Sequence, residues 1–229
     1  KARQENAEAQ NAVGVLYRNG WGVKQDFSEA IAWFRKAAAQ GNLWAQVNLG
    51  QMYGQGQGVE RDYREEAKWY RGAAEQGFPP AQTLLGAMYA MGNGVPQDWA
   101  EAMRWYRKAA DRGDALAQSR VGLMYAEGQG RPKDYTKAEQ WYRKAALQQH
   151  PAGQTGLGVL YLNGWGVKRD VAEATKWLRL AAEQEAPDAQ YHLGSIYAKE
   201  KDGTPEAVDA IMWLRRAAMY GHVDAKKLL

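Results

Sequence analysis

The sequence predicts an all-α solenoid of six 36-residue helix–turn–helix repeats, followed by the start of a seventh first helix. Three markers predict it. The tetrad Gly-x-x-Tyr recurs as GVLY, GQMY, GAMY, GLMY, GVLY and GSIY, with its glycine at Gly14, Gly50, Gly86, Gly122, Gly158 and Gly194. A tryptophan recurs at Trp33, Trp69, Trp105, Trp141, Trp177 and Trp213, and an alanine pair follows each one, from Ala37-Ala38 to Ala217-Ala218. All three keep one register without insertion, and a fixed period of this length is the signature of a stacked-repeat architecture. The units are expected at 7–42, 43–78, 79–114, 115–150, 151–186 and 187–222, with 223–229 a terminal helical fragment, all forming one domain.

Each unit reads as two helices. In the first, Leu49, Met52 and Tyr53 of the second unit lie at i, i+3 and i+4 and so share one face. The helix stops at a glycine pair (GWGV, GQGV, GNGV, GQGR and GWGV in the first five units), because two glycines one residue apart weaken a helix and permit positive φ. The second helix starts at Asp26, Asp62, Asp98, Asp134 or Asp170, whose carboxylate can accept from free N–H groups of the first turn. Three residues on, Glu29, Glu65, Glu101 and Glu173 fit a capping box, and Lys137 breaks it. The last turn is basic, as in Arg35-Lys36, Arg107-Lys108 and Arg143-Lys144, which suits the helix dipole and reads as solvated charge. Gly41, Gly77, Gly113 and Gly221 then stop the helix, and Gln149 and Glu185 stand where two further glycines are expected. Glycine and alanine on facing helices let the backbones approach, and the tryptophan with the next aromatic (Phe34, Tyr70, Tyr106, Tyr142) fills the remaining space. One such hairpin buries too little apolar surface to stand alone, so neighbours must stack.

Composition narrows the function. The 229 residues are 45% hydrophobic and 24% charged, with net charge +4 and no Lys/Arg block of five, which gives nucleic-acid binding little support. The absence of cysteine excludes disulfides and thiolate metal sites. No apolar stretch approaches membrane-spanning length, and the opening KARQENAEAQ is not a signal peptide. His150, His192 and His222 fall at different repeat positions without metal-ligand spacing, and His192 reads as a surface histidine. The glycine-rich loops lack the strand and lysine context of phosphate-binding loops, and no nucleophile motif is present. The sequence therefore predicts a protein that is not an enzyme, with no catalytic residue, metal or cofactor.

The third unit, AQTLLGAMYAMGNGVPQDWAEAMRWYRKAADRG, resembles the Sel-1-like repeat, a relative of the tetratricopeptide repeat, almost throughout. The resemblance covers essentially the whole chain. It implies a right-handed superhelix with the first helices lining a concave surface. It also implies an adaptor or scaffold for another protein or peptide, in a bacterium, periplasmic or secreted, with a cytoplasmic location also open. No nucleic acid or membrane insertion is expected, and the chain is expected to be a monomer. Departures from the pattern are Glu66, where other units have Ala30, Ala102, Ala138, Ala174 and Ala210, and Glu200–Gly203 in place of the glycine-pair loop. Thr204-Pro205-Glu206 then reads as a cap with proline in the first turn. The echo of a repeat end at Lys1-Ala2, and the seventh first helix, suggest a piece of a longer array.

If the related repeats are a guide, outward stripes of the first helices line the groove. One runs through Asn11, Val47, Thr83, Ser119, Thr155 and Tyr191, another through Val15, Gln51, Ala87, Leu123, Val159 and Ser195, and a third holds Trp44 and Leu116. The candidate partner-binding residues are Trp44, Val47, Gln51, Thr83, Ser119, Leu123, Thr155, Val159, Tyr191 and Ser195, with packing between repeats as the competing role. Trp21 and Trp165, in the Gly-Trp-Gly loops, are candidate edge anchors unless they lie back on a neighbouring helix. A second function class, a carbohydrate-binding or small-molecule-acting domain, would use these loop aromatics.

Overall fold

The computed structural model describes residues 6–199 and 205–229, with side chains of 205–208 left aside. The expectations for Lys1-Ala2, for Glu200–Gly203 and for the Thr204 cap lie outside the described residues. Thirteen helices and no strand occur among the described residues. They are α1 (Ala7–Asn19), α2 (Phe27–Ala39), α3 (Leu43–Gln55), α4 (Tyr63–Glu75), α5 (Pro79–Met91), α6 (Trp99–Ala110), α7 (Ala115–Glu127), α8 (Tyr135–Leu147), α9 (Pro151–Asn163), α10 (Val171–Glu183), α11 (Pro187–Tyr197), α12 (Pro205–Met219) and α13 (Val223–Leu228). They form two compact units, one ending at Arg112 and the other beginning at Gly113. The first holds the hairpins α1/α2, α3/α4 and α5/α6, each packed on the next. The second holds α7/α8, α9/α10 and α11/α12 with α13, and its first helices α7, α9 and α11 also touch one another in order.

The aspartate caps form at every predicted second helix among the first five. Asp26 Oδ1 accepts from the N–H of Ser28 at 2.9 Å and of Glu29 at 3.0 Å, and Asp62 and Asp98 bind in the same way. The glutamates of the predicted capping box turn elsewhere. Glu65 meets Lys68, Glu101 meets Arg104, and Glu173 accepts from the Trp177 indole at 2.7 Å. Lys137, which breaks the pattern, places its ammonium 2.7 Å from Asp134 and so holds that carboxyl below its ordinary range.

The Gly-x-x-Tyr glycine sits under the residue that follows the tryptophan. A Cβ built on Gly14 would stand 2.6 Å from the Phe34 ring, one on Gly86 2.8 Å from Tyr106, and one on Gly158 2.7 Å from Leu178. The glycine is thus a steric requirement of each hairpin. At the helix ends, Gln149 and Glu185 adopt φ of 60° and 63°, the left-handed conformation that Gly41, Gly77, Gly113 and Gly221 supply elsewhere. These two residues carry the strain that glycine avoids. The departure at Glu66 is accommodated locally. Its carboxylate occupies the space that Gly54 leaves, bonds to Tyr70, and is pushed up in pKa by burial.

Two periodic bonding systems run through the hairpins. A buried glutamine recurs at Gln10, Gln46, Gln82, Gln118, Gln154 and Gln190. Its Oε1 accepts from a second glutamine 30 residues on: Gln40 on Gln10, Gln148 on Gln118 and Gln184 on Gln154, each at 2.8 Å. On the other side, Gln82 and Gln190 donate to the carbonyls of Ala74 and Ala182 in the preceding helix. The second system joins a basic last turn to the next first helix. Arg35, Arg71 and Arg143 donate to the hydroxyls of Tyr53, Tyr89 and Tyr161 at 2.7–2.8 Å, and Arg179 donates to Tyr197. These arginines are not merely solvated, because each ties its helix to the following repeat. Lys36, Lys108 and Lys144 lie over the rings of Trp33, Trp105 and Trp141 at 4.1–4.3 Å.

Candidate functional site

The two units treat the same helix face differently. In the first, Arg18 at the end of α1 donates to Asn48 at 2.9 Å and to Gln51 at 3.2 Å, and Asn48 donates to Asn11 at 2.9 Å. These polar groups satisfy one another, and partial burial lowers the guanidinium pKa of Arg18. Val47 is 2% exposed and packs with Tyr70, Ala74 and Leu85. Thr83 is buried as well. Both were expected on an open groove and instead lie in the packing between helices, because in this unit that stripe faces neighbouring elements. Gln51 is half-buried and committed to Arg18. Trp44 is exposed and meets Phe78 edge-on at 4.9 Å. Trp21 is exposed and borders a shallow polar hollow with Arg18, Gln25 and Gln57.

In the second unit the corresponding face holds a cavity of about 810 Å³ that spans α7, α9, α11 and the start of α13. Leu123, Thr155, Val159 and Tyr191, all half-buried, line it together with Trp165. Ser119 also borders it, but its side chain is buried and donates to the Leu116 carbonyl at 2.8 Å, so the expected surface contact is replaced by a local one. Thr155 makes the matching bond to the Pro151 carbonyl. Ser195 is not among the lining residues, and its hydroxyl is buried without a hydrogen-bond partner among the described residues. Trp165 lies on Tyr135, with ring centroids 5.2 Å apart and planes 23° apart, and the two rings form one wall. Trp165 therefore leans on a neighbour and still borders the cavity.

Several wall residues were not among the candidate partner-binding residues. Arg120, Tyr142, Gly156 and His192 all border the cavity, as does His222. His222 stacks on Tyr191 at 4.3 Å, accepts the Ala225 N–H through Nδ1 to cap α13, and sets Nε2 3.5 Å from Asp188. His192 is half-buried rather than a surface residue, and burial lowers its pKa. Tyr142, pressed between Gly122 and Gly156, has its phenol pKa raised, chiefly by burial and then by Glu127. The missed signal was positional. In register, the six first helices carry Ala12, Asn48, Leu84, Arg120, Gly156 and His192 at one place, with no two alike. Among the described residues no group of His, Asp or Glu could hold a metal ion. No described helix is long and apolar enough to cross a membrane.

Helical hairpins repeated at a constant period, closed by aspartate caps and packed through glycine, define an α-solenoid repeat protein. The chain belongs to the Sel1 repeat family, whose repeat matches residues 7–42, 45–78, 79–114, 115–150, 151–185 and 187–222. Members of this family are generally non-enzymatic adaptors and typically protein-interaction scaffolds. The chain is 40% identical to a Sel1 repeat protein from Oxalobacter formigenes, with a TM-score of 0.88 over 94% of this chain and 88% of that one. It is 38% identical to a protective antigen of uropathogenic Escherichia coli strains that displays an SLR fold, with a TM-score of 0.82 over 96% of this chain. It spans about half of that antigen's length, 47%. An immunity protein from Pseudomonas aeruginosa shares the fold alone, at 18% identity and a TM-score of 0.62 over 94% of this chain and 82% of that one. No curated protein matches the chain.

Proposed function

We propose that the protein is a non-enzymatic adaptor that holds a segment of a partner protein in the groove of its second unit. The observation that carries this reading is the contrast between the two faces. In the first unit the groove-side polar groups bond to one another, whereas the cavity on α7, α9 and α11 is bordered by apolar and aromatic side chains, Leu123, Val159, Trp165 and Tyr191. A cavity of about 810 Å³ lies in the range that holds a few side chains of a bound ligand. Open apolar surface of this kind gains free energy when a ligand displaces water from it.

The test is a selection of displayed random twelve-residue peptides on the whole chain, followed by titration of the winners. Leu123→Asp and Tyr191→Ala are expected to weaken binding at least tenfold while leaving the melting transition in place. Peptides that bind both variants as well as the parent would place recognition elsewhere. A glycan array that shows Trp165-dependent binding, with no peptide selected, would replace this reading with a carbohydrate-binding one.

A further inference from the structure

The helix ends and turns of the repeats place an asparagine before a glycine three times: Asn19-Gly20, Asn93-Gly94 and Asn163-Gly164. In such a pair the glycine nitrogen can attack the asparagine side-chain carbonyl, because glycine has no Cβ to crowd the approach. The attack needs an N–H that no backbone carbonyl holds and a side-chain amide that can turn toward it. Two of the pairs lack both. Asn19 and Asn163 are the last residues of α1 and α9, and the glycine after each is the helix cap. The Gly20 N–H donates to the Leu16 carbonyl at 2.8 Å, and the Gly164 N–H donates to that of Leu160. Their side chains are engaged as well. Asn163 donates to the Val159 carbonyl at 2.9 Å, and Asn19 accepts from Arg18 at 3.4 Å. The third pair falls elsewhere. The cap of α5 is Gly92, so Asn93-Gly94 lies in the turn beyond it. The Asn93 N–H reaches back to the Met88 carbonyl at 3.1 Å, and Gly94 takes φ of 68°. Among the described residues neither the Gly94 N–H nor the Asn93 side-chain amide makes a hydrogen bond.

We infer that Asn93 is a site of spontaneous deamidation, at which the folded chain modifies itself with water as the co-reactant. The Gly94 nitrogen bonds to Cγ of Asn93 and closes a five-membered succinimide. The side-chain nitrogen leaves as ammonia and carries off the proton of the Gly94 amide. Water then opens the ring at one of its two carbonyls, and no atom is oxidised or reduced. Attack at Cγ breaks the new bond and leaves aspartate. Attack at the main-chain carbonyl of residue 93 breaks its bond to the Gly94 nitrogen and leaves isoaspartate, whose main chain runs through the former side chain. Isoaspartate thus lengthens the backbone by one carbon, in a turn that has no slack. A Cβ built on Gly94 would already collide with the carbonyl oxygen of Tyr63, at the start of α4. The lengthened turn is therefore pushed off the preceding hairpin.

The experiment ages the whole folded chain in mildly alkaline buffer and follows each Asn-Gly pair by peptide mapping and mass spectrometry. Asn93 is expected to convert about fivefold faster than Asn19 or Asn163, the worth of one backbone hydrogen bond. In the chain aged unfolded in concentrated urea, where no carbonyl holds the glycine N–H groups, the three pairs should convert at similar rates. Labelling by protein isoaspartyl methyltransferase should mark the aged parent and be lost in Asn93→Gln, whose longer side chain does not close the five-membered ring. The aged parent should also melt lower than the fresh protein, and Asn93→Gln aged in the same way should not. An Asn19 or Asn163 that converts as fast as Asn93 in the folded chain overturns the inference. So does an Asn93 that stays intact in the folded chain while the unfolded chain converts. The same ranking of the three pairs in urea also overturns it, because the cause would then lie in the neighbouring residues and not in the fold.

Discussion

Gly54 and Glu66 form a single exchange between two facing positions. Four first helices carry Ala90, Ala126, Leu162 or Ala198 where the second unit has Gly54, and five second helices carry alanine where it has Glu66. The side chain lost on α3 reappears on α4, with the Glu66 carboxylate filling the Gly54 gap and bonding to Tyr70. The coupling is testable by a double-mutant cycle in urea. Gly54→Ala alone should destabilise by about 1–3 kcal/mol through overpacking against Glu66. In the Glu66→Ala background the same change should be neutral or stabilising by about 0.5–1 kcal/mol, the helix propensity difference between glycine and alanine. Additive effects would show that the two positions do not share one space.

At the scale of the helix, the buried glutamines give each hairpin a polar seam. Gln154 is fully satisfied on its acceptor side, because Gln184 donates to it at 2.8 Å. Gln190 is not. Its partner position holds Tyr220, and its Oε1 has no hydrogen-bond partner among the described residues. Gln82 repeats this defect where Arg112 stands, the arginine donating instead to the Gly77 carbonyl. Replacing a satisfied polar group leaves its partner stranded, whereas replacing one already unsatisfied removes an existing penalty. Gln154→Leu should therefore cost about 1–3 kcal/mol, and Gln190→Leu clearly less, in the same denaturation assay. Equal losses would mean that the seam contributes volume and not hydrogen bonds. The seam was missed in the sequence although it keeps the same period as the tryptophans. Glutamine is ordinarily an exposed residue, and its burial comes from two helices outside its own.

Across the whole molecule, what was legible is what local sequence decides. Asp98 caps α6 because of the residues beside it, and the glycine at 86 is required by an aromatic 20 residues away in the same hairpin. The groove was legible only in outline, since the same stripe is buried at Val47 and Thr83 and open at Thr155 and Tyr191. That difference depends on what the neighbouring repeats place opposite, such as Tyr142 under Gly156. His150 and His192 both belong to the second unit and are the basis of its expected pH response. Burial lowers the pKa of His150 and of His192. Around His192 the facing charges are Asp188, which opposes the shift, and His222, which adds to it; around His150 they are Asp114 and Arg120, in the same two senses. The unfolded chain then takes up protons near the ordinary histidine value of 6.5, while the folded chain resists until lower pH, so stability is full above that value and falls as the pH drops through it. The melting temperature should decline between pH 7 and pH 5. His150→Asn and His192→Asn together, which restore the residues that stand in register at Asn42 and Asn48, should flatten that decline relative to the parent. Taking the difference between parent and variant cancels Glu66, whose raised pKa pulls in the opposite direction at lower pH. A variant that loses stability on acidification as steeply as the parent would assign the pH response to groups other than these two imidazoles.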